Sequence, residues 1–145
     1  MYIASSYCLE DGTVRCASDP SIDNYVRFGK CHVVHDGFEF SRQDKLHNIV
    51  QFCQKNNTKM KLHVCWETQK GSNGCFCEKC YCTMAGLIVE GANPEEYGFE
   101  DVKTALTDMK RKVCSYAQIN PQLLVSQWSK LHNRIIENKE YLKKM

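Results

Sequence analysis

The sequence lacks the features that mark membrane, secreted and nucleic-acid-binding proteins. In its 145 residues, no apolar run approaches the roughly 20 residues that span a bilayer. No basic segment followed by an apolar stretch and a cleavage site opens the chain. The net charge of +2 gives no electrostatic reason to bind nucleic acid or an anionic membrane. We therefore expect a cytoplasmic protein with no nucleic-acid partner and no membrane partner.

Internal repeats, low-complexity linkers and a convincing phosphate-binding loop are also missing. The only glycine-rich candidate, Gly71-Ser72-Asn73-Gly74, lies inside a cysteine-rich segment. The hydrophobic content of 43% is ordinary for a folded protein of this length. Because Met1 is followed at once by Tyr2-Ile3-Ala4, which is typical of a buried strand, we expect the chain to be the second part of something longer.

Cysteine is abundant, with ten residues in all and five between positions 65 and 82. Without a secretion signal, such clustering favours metal binding over a disulfide scaffold. Cys77 and Cys80 are three residues apart, so they share one face of a helix that begins near Cys77. We predict that Cys65, Cys75, Cys77 and Cys80 bind one zinc ion. With four thiolates the zinc has no open position for water, so its role is structural.

Other uses of these thiols stay open at this point. Cys82 is a poorer ligand than Cys80, because two residues further on it points to roughly the opposite side of the helix. The thiols could instead pack as small side chains without a metal or hold an iron–sulfur cluster. Cys77 and Cys80 could also form a redox pair.

Hydrophobic periodicity and turn residues predict alternating strands and helices. Strands are expected at residues 2–6, 31–35 and 61–66, and helices at 22–28, 42–56, 78–90, 100–119 and 121–144. Ser41 with Asp44 forms a capping-box pattern, and Asn93-Pro94 begins a short turn that ends near Gly98. The order implies an α/β fold with a small parallel sheet and crossover helices. Residues 1–99 would form the α/β half-domain, with residues 100–145 as a two-helix C-terminal extension packed on it.

Several short motifs resemble the C-terminal half of the PP-loop ATP pyrophosphatases, and most closely proteins of the 7-cyano-7-deazaguanine synthase type. The resemblance covers roughly residues 2–99. The motifs, in chain order, are Ser18-Asp19-Pro20, His35-Asp36-Gly37, Ser41-Arg42-Gln43-Asp44-Lys45, Val64-Cys65-Trp66-Glu67 and Cys77-Glu78-Lys79-Cys80-Tyr81-Cys82-Thr83-Met84.

This resemblance implies a fold of the adenine-nucleotide alpha-hydrolase kind, a four-cysteine zinc site and ATP-dependent activation of a substrate carboxylate or carbonyl. It places substrate contacts at Ser18, Asp19, Arg42 and Lys45. The family's Ser-Gly-Gly-x-Asp-Ser nucleotide loop is absent from the sequence. The resemblance therefore implies that ATP and Mg²⁺ bind only if an N-terminal half or a partner subunit supplies that loop.

Two further departures from the family pattern concern the cysteine block. Gly74 stands where the family has a cysteine, with Cys75 next to it, and Cys82 stands where the family has an arginine. His35 and Asp36 follow a predicted strand, and there we expect a surface-loop histidine as the commoner outcome. The chain is thus expected to be the zinc-binding, substrate-side part of such an enzyme, inactive alone. The alternative is a non-catalytic zinc-binding interaction module, with a homo-oligomer as one arrangement.

Overall fold

The computed structural model describes residues 1–12, 16, 18–68, 71–119, 121 and 127–138. Contacts divide the chain into an N-terminal unit (Met1–Lys45) and a C-terminal unit (Leu46–Met145). The helices are α1 (Pro20–Asp23), α2 (Arg42–Lys55), α3 (Glu78–Val89), α4 (Val102–Ile119) and α5 (Ser129–Glu137). The strands are β1 (Tyr2–Ala4), β2 (Arg27–Phe28), β3 (Cys31–His32) and β4 (Val34–Asp36). A mixed helix and sheet architecture is thereby confirmed at a coarse level, while the predicted boundary at residues 99 and 100 stays a prediction.

The N-terminal unit contains two small sheets. Strands β1 and β4 pair in parallel, with Ile3 opposite His35, which confirms a small parallel sheet. Strands β2 and β3 form an antiparallel hairpin around Gly29, which has a φ of 57°. The strand predicted at residues 31–35 is therefore two short strands separated by the buried Val33.

The helix predicted at residues 22–28 is wrong in length and position. Helix α1 begins at Pro20, because the Asp19 carboxylate accepts a hydrogen bond from the Ser21 N–H and proline suits the first helical position. It ends at Asp23, and residues 27–28 then pair with residues 31–32. Residues 27–28, which helical periodicity predicts as the end of a helix, thus belong to a two-strand hairpin instead.

Helix α2 begins with the capping box that the sequence predicts. The Ser41 N–H donates to Asp44 Oδ2 at 3.0 Å, and the Asp44 N–H donates to Ser41 Oγ at 3.2 Å. These two bonds satisfy backbone donors that the first helical turn cannot pair internally. The helix ends at Lys55, close to Asn57, whose φ of 46° is incompatible with its continuation.

The C-terminal unit is built around α3. This helix packs against α4 and α5, and eight of its twelve residues are buried. Its buried neighbours form one apolar cluster, which includes Leu46, Val50, Cys53, Tyr97, Phe99, Val102 and Ala105. Before α4, a 3₁₀ turn (Pro94–Tyr97) is capped by Asn93 and ends at Gly98 with a φ of 89°, as predicted.

The third predicted strand, residues 61–66, is not a strand. Its backbone groups are bonded to the Asn73 side chain, whose Oδ1 accepts from the Val64 and Cys65 N–H groups at 3.0 and 3.2 Å. Asn73 Nδ2 donates to the carbonyl oxygens of Leu62 at 2.8 Å and Gly98 at 3.0 Å. These bonds satisfy backbone groups that the ladder of a sheet would otherwise use, so the segment needs no partner strand. The predicted sheet of three strands is therefore reduced to a parallel pair.

The last predicted helix is partly described. Helix α5 covers Ser129–Glu137, with Leu131 buried and Trp128 half-buried just before it. The Trp128 indole N–H donates to Glu78 Oε1 at 3.0 Å, which ties this region to the start of α3. Residues 122–126 and 139–144 of the predicted helix lie outside the described residues. Across the described residues, every helix is too short or too polar to cross a bilayer.

Candidate metal centre

Three buried thiols meet in the C-terminal unit. The sulfur atoms of Cys65, Cys77 and Cys80 all lie within 4.8 Å of one another. Cys77 Sγ is 3.9 Å from Cys65 Sγ and 3.4 Å from Cys80 Sγ. Four thiolates placed tetrahedrally at the usual zinc–sulfur distance would be about 3.8 Å apart, so this spacing is close to that of ligands around one ion. The cluster can hold a metal ion.

The start of α3 positions two of these sulfurs. Cys77 is the N-cap, with φ −100° and ψ 163°, and its carbonyl accepts the first helical hydrogen bond from the Tyr81 N–H at 3.0 Å. Cys80 is three residues further on, in the first turn. Residues at this spacing share a helix face, which brings both sulfurs to one point. A helix N-terminus also favours negative charge, and thus thiolates.

The third sulfur belongs to a tight loop that supplies backbone N–H donors. Burial alone would raise the pKa of Cys65. Hydrogen bonds from the backbone N–H groups of Gly74, Glu67 and Thr68 outweigh this and lower the pKa to about 6. Because N–H donors stabilise the charged form, Cys65 is a thiolate at neutral pH. The loop is thus arranged around an anionic sulfur.

For the other two sulfurs, the effect of burial on the pKa exceeds that of the hydrogen bonds. It raises the pKa of Cys77 and raises that of Cys80 further, where a hydrogen bond with Cys77 adds to the effect. Without a cation both groups are therefore neutral thiols. A metal ion would have to displace their protons, and its affinity therefore rises with pH.

Cys75, the predicted fourth ligand, is close in sequence but is outside this set of three. Its side chain is buried and its φ is 60°. Cys75 Sγ donates to the Asn73 carbonyl oxygen at 3.6 Å, and burial raises its pKa. Cys82 is buried on α3 and is also outside the set. Ligation by Cys75 stays a prediction.

Gly74 fits its place because it has no side chain. A Cβ atom built there would lie 2.7 Å from Thr68 Cγ2 and 3.5 Å from Cys65 Sγ. The distance to Thr68 Cγ2 is shorter than two carbon atoms tolerate. The backbone N–H of Gly74 also donates to the Cys65 thiolate. The lack of a side chain at Gly74 therefore lets the loop close over the sulfur of Cys65.

We expect Gly74→Ala to destabilise the protein by about 1–3 kcal/mol, because the added methyl group overpacks the loop. Urea unfolding measures the change through the midpoint at constant slope. The matched variant is Gly74→Ala combined with Thr68→Ser, which removes the Cγ2 methyl group that the new Cβ would meet. It should recover most of the loss. An equal cost with and without Thr68→Ser would show that the clash is not the cause.

The residues predicted as substrate contacts all belong to the N-terminal unit, and their role stays a prediction. Ser18 Oγ donates to Asp23 Oδ2 at 2.6 Å, and Asp19 caps α1. Both line a small pocket in the N-terminal unit. Lys45 Nζ donates to the Ser5 carbonyl oxygen at 3.0 Å, and burial lowers its pKa. Arg42 is the first residue of α2, and neither it nor Lys45 is among the residues that line this pocket.

Sequence reasoning missed a buried polar pair in the N-terminal unit. His35, expected on a surface loop, is instead buried in β4, and its Nδ1 is 2.7 Å from Asp23 Oδ2. Asn73, with its four hydrogen bonds, was missed as well. Neither had a local signal, because each depends on contacts between residues at least eight positions apart.

No protein-family model, curated protein or solved structure matches the chain. What the protein does is therefore inferred from its own residues. Among those described, Cys65, Cys77 and Cys80 form the only group of three or more metal-ligating side chains with this spacing.

Proposed function

We propose that this chain is a zinc-dependent folding module in which Cys65, Cys77 and Cys80 bind one structural zinc ion. The observation that carries the proposal is the convergence of three buried sulfurs within 4.8 Å of one another. Thiols that merely pack in a core need no mutual contact, whereas metal ligands must converge. Soft thiolate ligands and a tetrahedral spacing favour zinc among common metal ions.

The position of the cluster supports a structural role. Cys65 belongs to the segment fixed by Asn73, and the other two belong to the start of α3. One ion would therefore join the loop to the helix on which the apolar cluster of the C-terminal unit is built. Binding energy at such a site is available as folding energy.

The fourth ligand separates a structural site from a reactive one. A fourth thiolate from Cys75 would leave no coordination position for water, whereas three thiolates with a water would resemble a catalytic site. We propose Cys75, because it is buried on the same loop and its backbone N–H already donates to Cys80 Sγ. Cobalt substitution tests this, since the thiolate-to-cobalt absorption should weaken in Cys75→Ser but not in Cys82→Ser.

The pKa directions predict how many protons zinc releases. At about pH 7.5 Cys65 is already a thiolate, while Cys77 and Cys80 are protonated, so zinc binding should release two protons from these three ligands. Burial also raises the pKa of Cys75, so its ligation adds a third proton. Calorimetric titration of the metal-free protein in buffers of different ionisation enthalpy measures this number.

Three protons in the parent and two in Cys75→Ser would identify the fourth ligand. Two protons in both proteins would exclude Cys75 and leave the three-thiol set. Below pH 6 the Cys65 thiolate is also lost, so the release should rise by one while the affinity falls. Zinc binding without proton release would contradict the proposal, because neutral thiols do not remain protonated on zinc.

The resemblance to PP-loop ATP pyrophosphatases supports a more specific proposal. In it, the chain is the substrate-side part of a carboxylate-activating enzyme whose nucleotide loop belongs to an N-terminal half or to a partner subunit. Parallel pairing of β1 with β4 supports this. The zinc ion would then stabilise the C-terminal unit of that part, without taking part in the chemistry.

Nucleotide binding tests whether the ATP site lies outside this chain. We expect the zinc-loaded chain alone to show no binding of ATP with Mg²⁺ in equilibrium dialysis, because the sequence has no phosphate-binding loop. Stoichiometric ATP binding by the chain alone would contradict the proposal. Dimerisation that is independent of ATP, measured by sedimentation, would favour a zinc-binding interaction module instead.

A further inference from the structure

The N-terminal unit contains an aspartate–histidine pair remote in sequence from the cysteine cluster. His35 Nδ1 lies 2.7 Å from Asp23 Oδ2, and the His35 side chain is only 2% exposed. Ser18 Oγ donates to the same carboxylate oxygen at 2.6 Å. These hydrogen bonds, that of Ser18 first, lower the pKa of Asp23, so it is a carboxylate at neutral pH.

The carboxylate fixes the proton on the imidazole ring. Since an ionised carboxylate can only accept, the proton of the neutral ring is on Nδ1, which leaves Nε2 as an acceptor. The ring is also held from the side by Phe38, whose centroid is 6.0 Å away at an interplanar angle of 77°. The orientation of Nε2 is therefore set by two independent contacts.

Nε2 has no hydrogen-bond partner among the described residues, although it is fully buried. A buried nitrogen without a partner costs free energy, and such atoms are uncommon in folded proteins unless a ligand or water completes them. His35 lines a small pocket together with Ser5, Ser18, Asp19 and Phe38. The pocket has room for about one water molecule, so only a small head group can enter it.

We infer that this pocket binds the amino or hydroxyl head group of a small ligand, with His35 Nε2 as the hydrogen-bond acceptor. The charges around it favour a donor over an anion. Asp19 and Asp23 are both close to the ring, and no lysine or arginine is among the described residues that line the pocket. Lys45 reaches the Ser5 carbonyl oxygen from outside that lining. A bound phosphate or carboxylate would lie close to the Asp19 carboxylate, which lines the pocket.

The pocket is also placed where small ligands commonly bind. Ser5 directly follows β1, and His35 belongs to β4, which pairs with β1 in parallel. Carboxyl ends of parallel strands collect ligand contacts in open α/β sheets. This location and the buried acceptor point to the same class of ligand.

The test is a titration of the full chain labelled with nitrogen-15 at histidine, followed by NMR of the ring nitrogens. The probes are methylamine, methanol and sodium phosphate. We expect the His35 ring to be protonated at Nδ1, and its Nε2 signal to shift in a saturable way with methylamine or methanol but not with phosphate. A probe with two heavy atoms should bind no tighter than roughly 10 mM. The exposed His63 and His132 report non-specific effects in the same spectra.

Two variants separate binding from packing. Asp23→Asn offers an amide that can donate to Nδ1, which moves the ring proton to Nε2, so the response to methylamine should disappear. Ser21→Ala alters the same helical turn outside the pocket lining and should keep the response. A proton on Nε2 in the parent protein would overturn the inference. The inference would also be overturned if the donor probes left the Nε2 signal of His35 unshifted, or if they shifted the signals of all histidines equally. A shift with phosphate alone would overturn it too. The titration of the parent protein tests the inference even if Asp23→Asn does not fold.

Discussion

Replacing Cys80 with serine is expected to abolish stoichiometric zinc binding and to unfold the C-terminal unit or lower its melting temperature steeply. Cys80 is fully buried at the first turn of α3, 3.4 Å from the sulfur of Cys77. A serine hydroxyl is not a usual zinc ligand, and structural zinc sites supply apparent binding energies of about 10–16 kcal/mol. That is comparable to the whole stability of most domains, which is about 5–15 kcal/mol.

Elemental analysis and thermal unfolding measure this together. Cys114→Ser is the matched control, because Cys114 is an exposed cysteine on α4 in the same unit. It should leave zinc content and melting temperature unchanged. A chelator should bring the parent protein to the stability of Cys80→Ser and have no further effect on that variant. Zinc content and melting temperature that are unaltered in Cys80→Ser would refute the metal site.

Replacing Phe99 with alanine is expected to destabilise the protein by about 3–5 kcal/mol without changing its zinc content. Phe99 is 1% exposed and belongs to the apolar cluster that surrounds α3. Its loss removes buried apolar surface and leaves a cavity, but it removes none of the three sulfurs in the candidate site. The unfolding midpoint in urea should fall at an unchanged slope.

The control for this variant is Phe52→Ala on α2, where the side chain is 53% exposed and the expected change is within about 0.5 kcal/mol. Phe99→Ala and Cys80→Ser then separate two contributions that share one unit. If Phe99→Ala lost zinc as completely as Cys80→Ser, the metal would depend on the whole core. If it left the midpoint unchanged, the packing described around α3 would be wrong.

The parts of the fold that sequence predicts well depend on contacts within one or two turns. Ser41 and Asp44 mark the start of α2 because both groups of the capping box lie within four residues. Gly98 marks the end of the 3₁₀ turn through its own backbone conformation. The shared face of Cys77 and Cys80 follows from helical spacing alone. Such signals do not require knowledge of the tertiary structure.

The parts that sequence missed depend on long-range contacts. Residues 61–66 have alternating apolar side chains, yet Asn73 and the Tyr97 carbonyl take up backbone groups that a partner strand would have bonded. The pairing of Asp23 with His35 requires the hairpin between them. The donors that lower the pKa of Cys65 come partly from Gly74, nine residues away. None of these follows from periodicity, because periodicity describes an element and not its partner.

The hydrogen bonds of Asn73 also protect the protein from a chemical change at this residue. Asn73 precedes Gly74, and an asparagine followed by glycine deamidates readily, because the unhindered glycine nitrogen can attack the side-chain amide and release ammonia. In the folded protein this amide is buried and bonded at both its oxygen and its nitrogen, which protects it. In a chain that stays unfolded, water opens the cyclic imide formed in this way to aspartate or isoaspartate. The carboxylate can no longer donate to the carbonyl oxygens of Leu62 and Gly98. The fraction of chains that can refold therefore falls with the time spent unfolded.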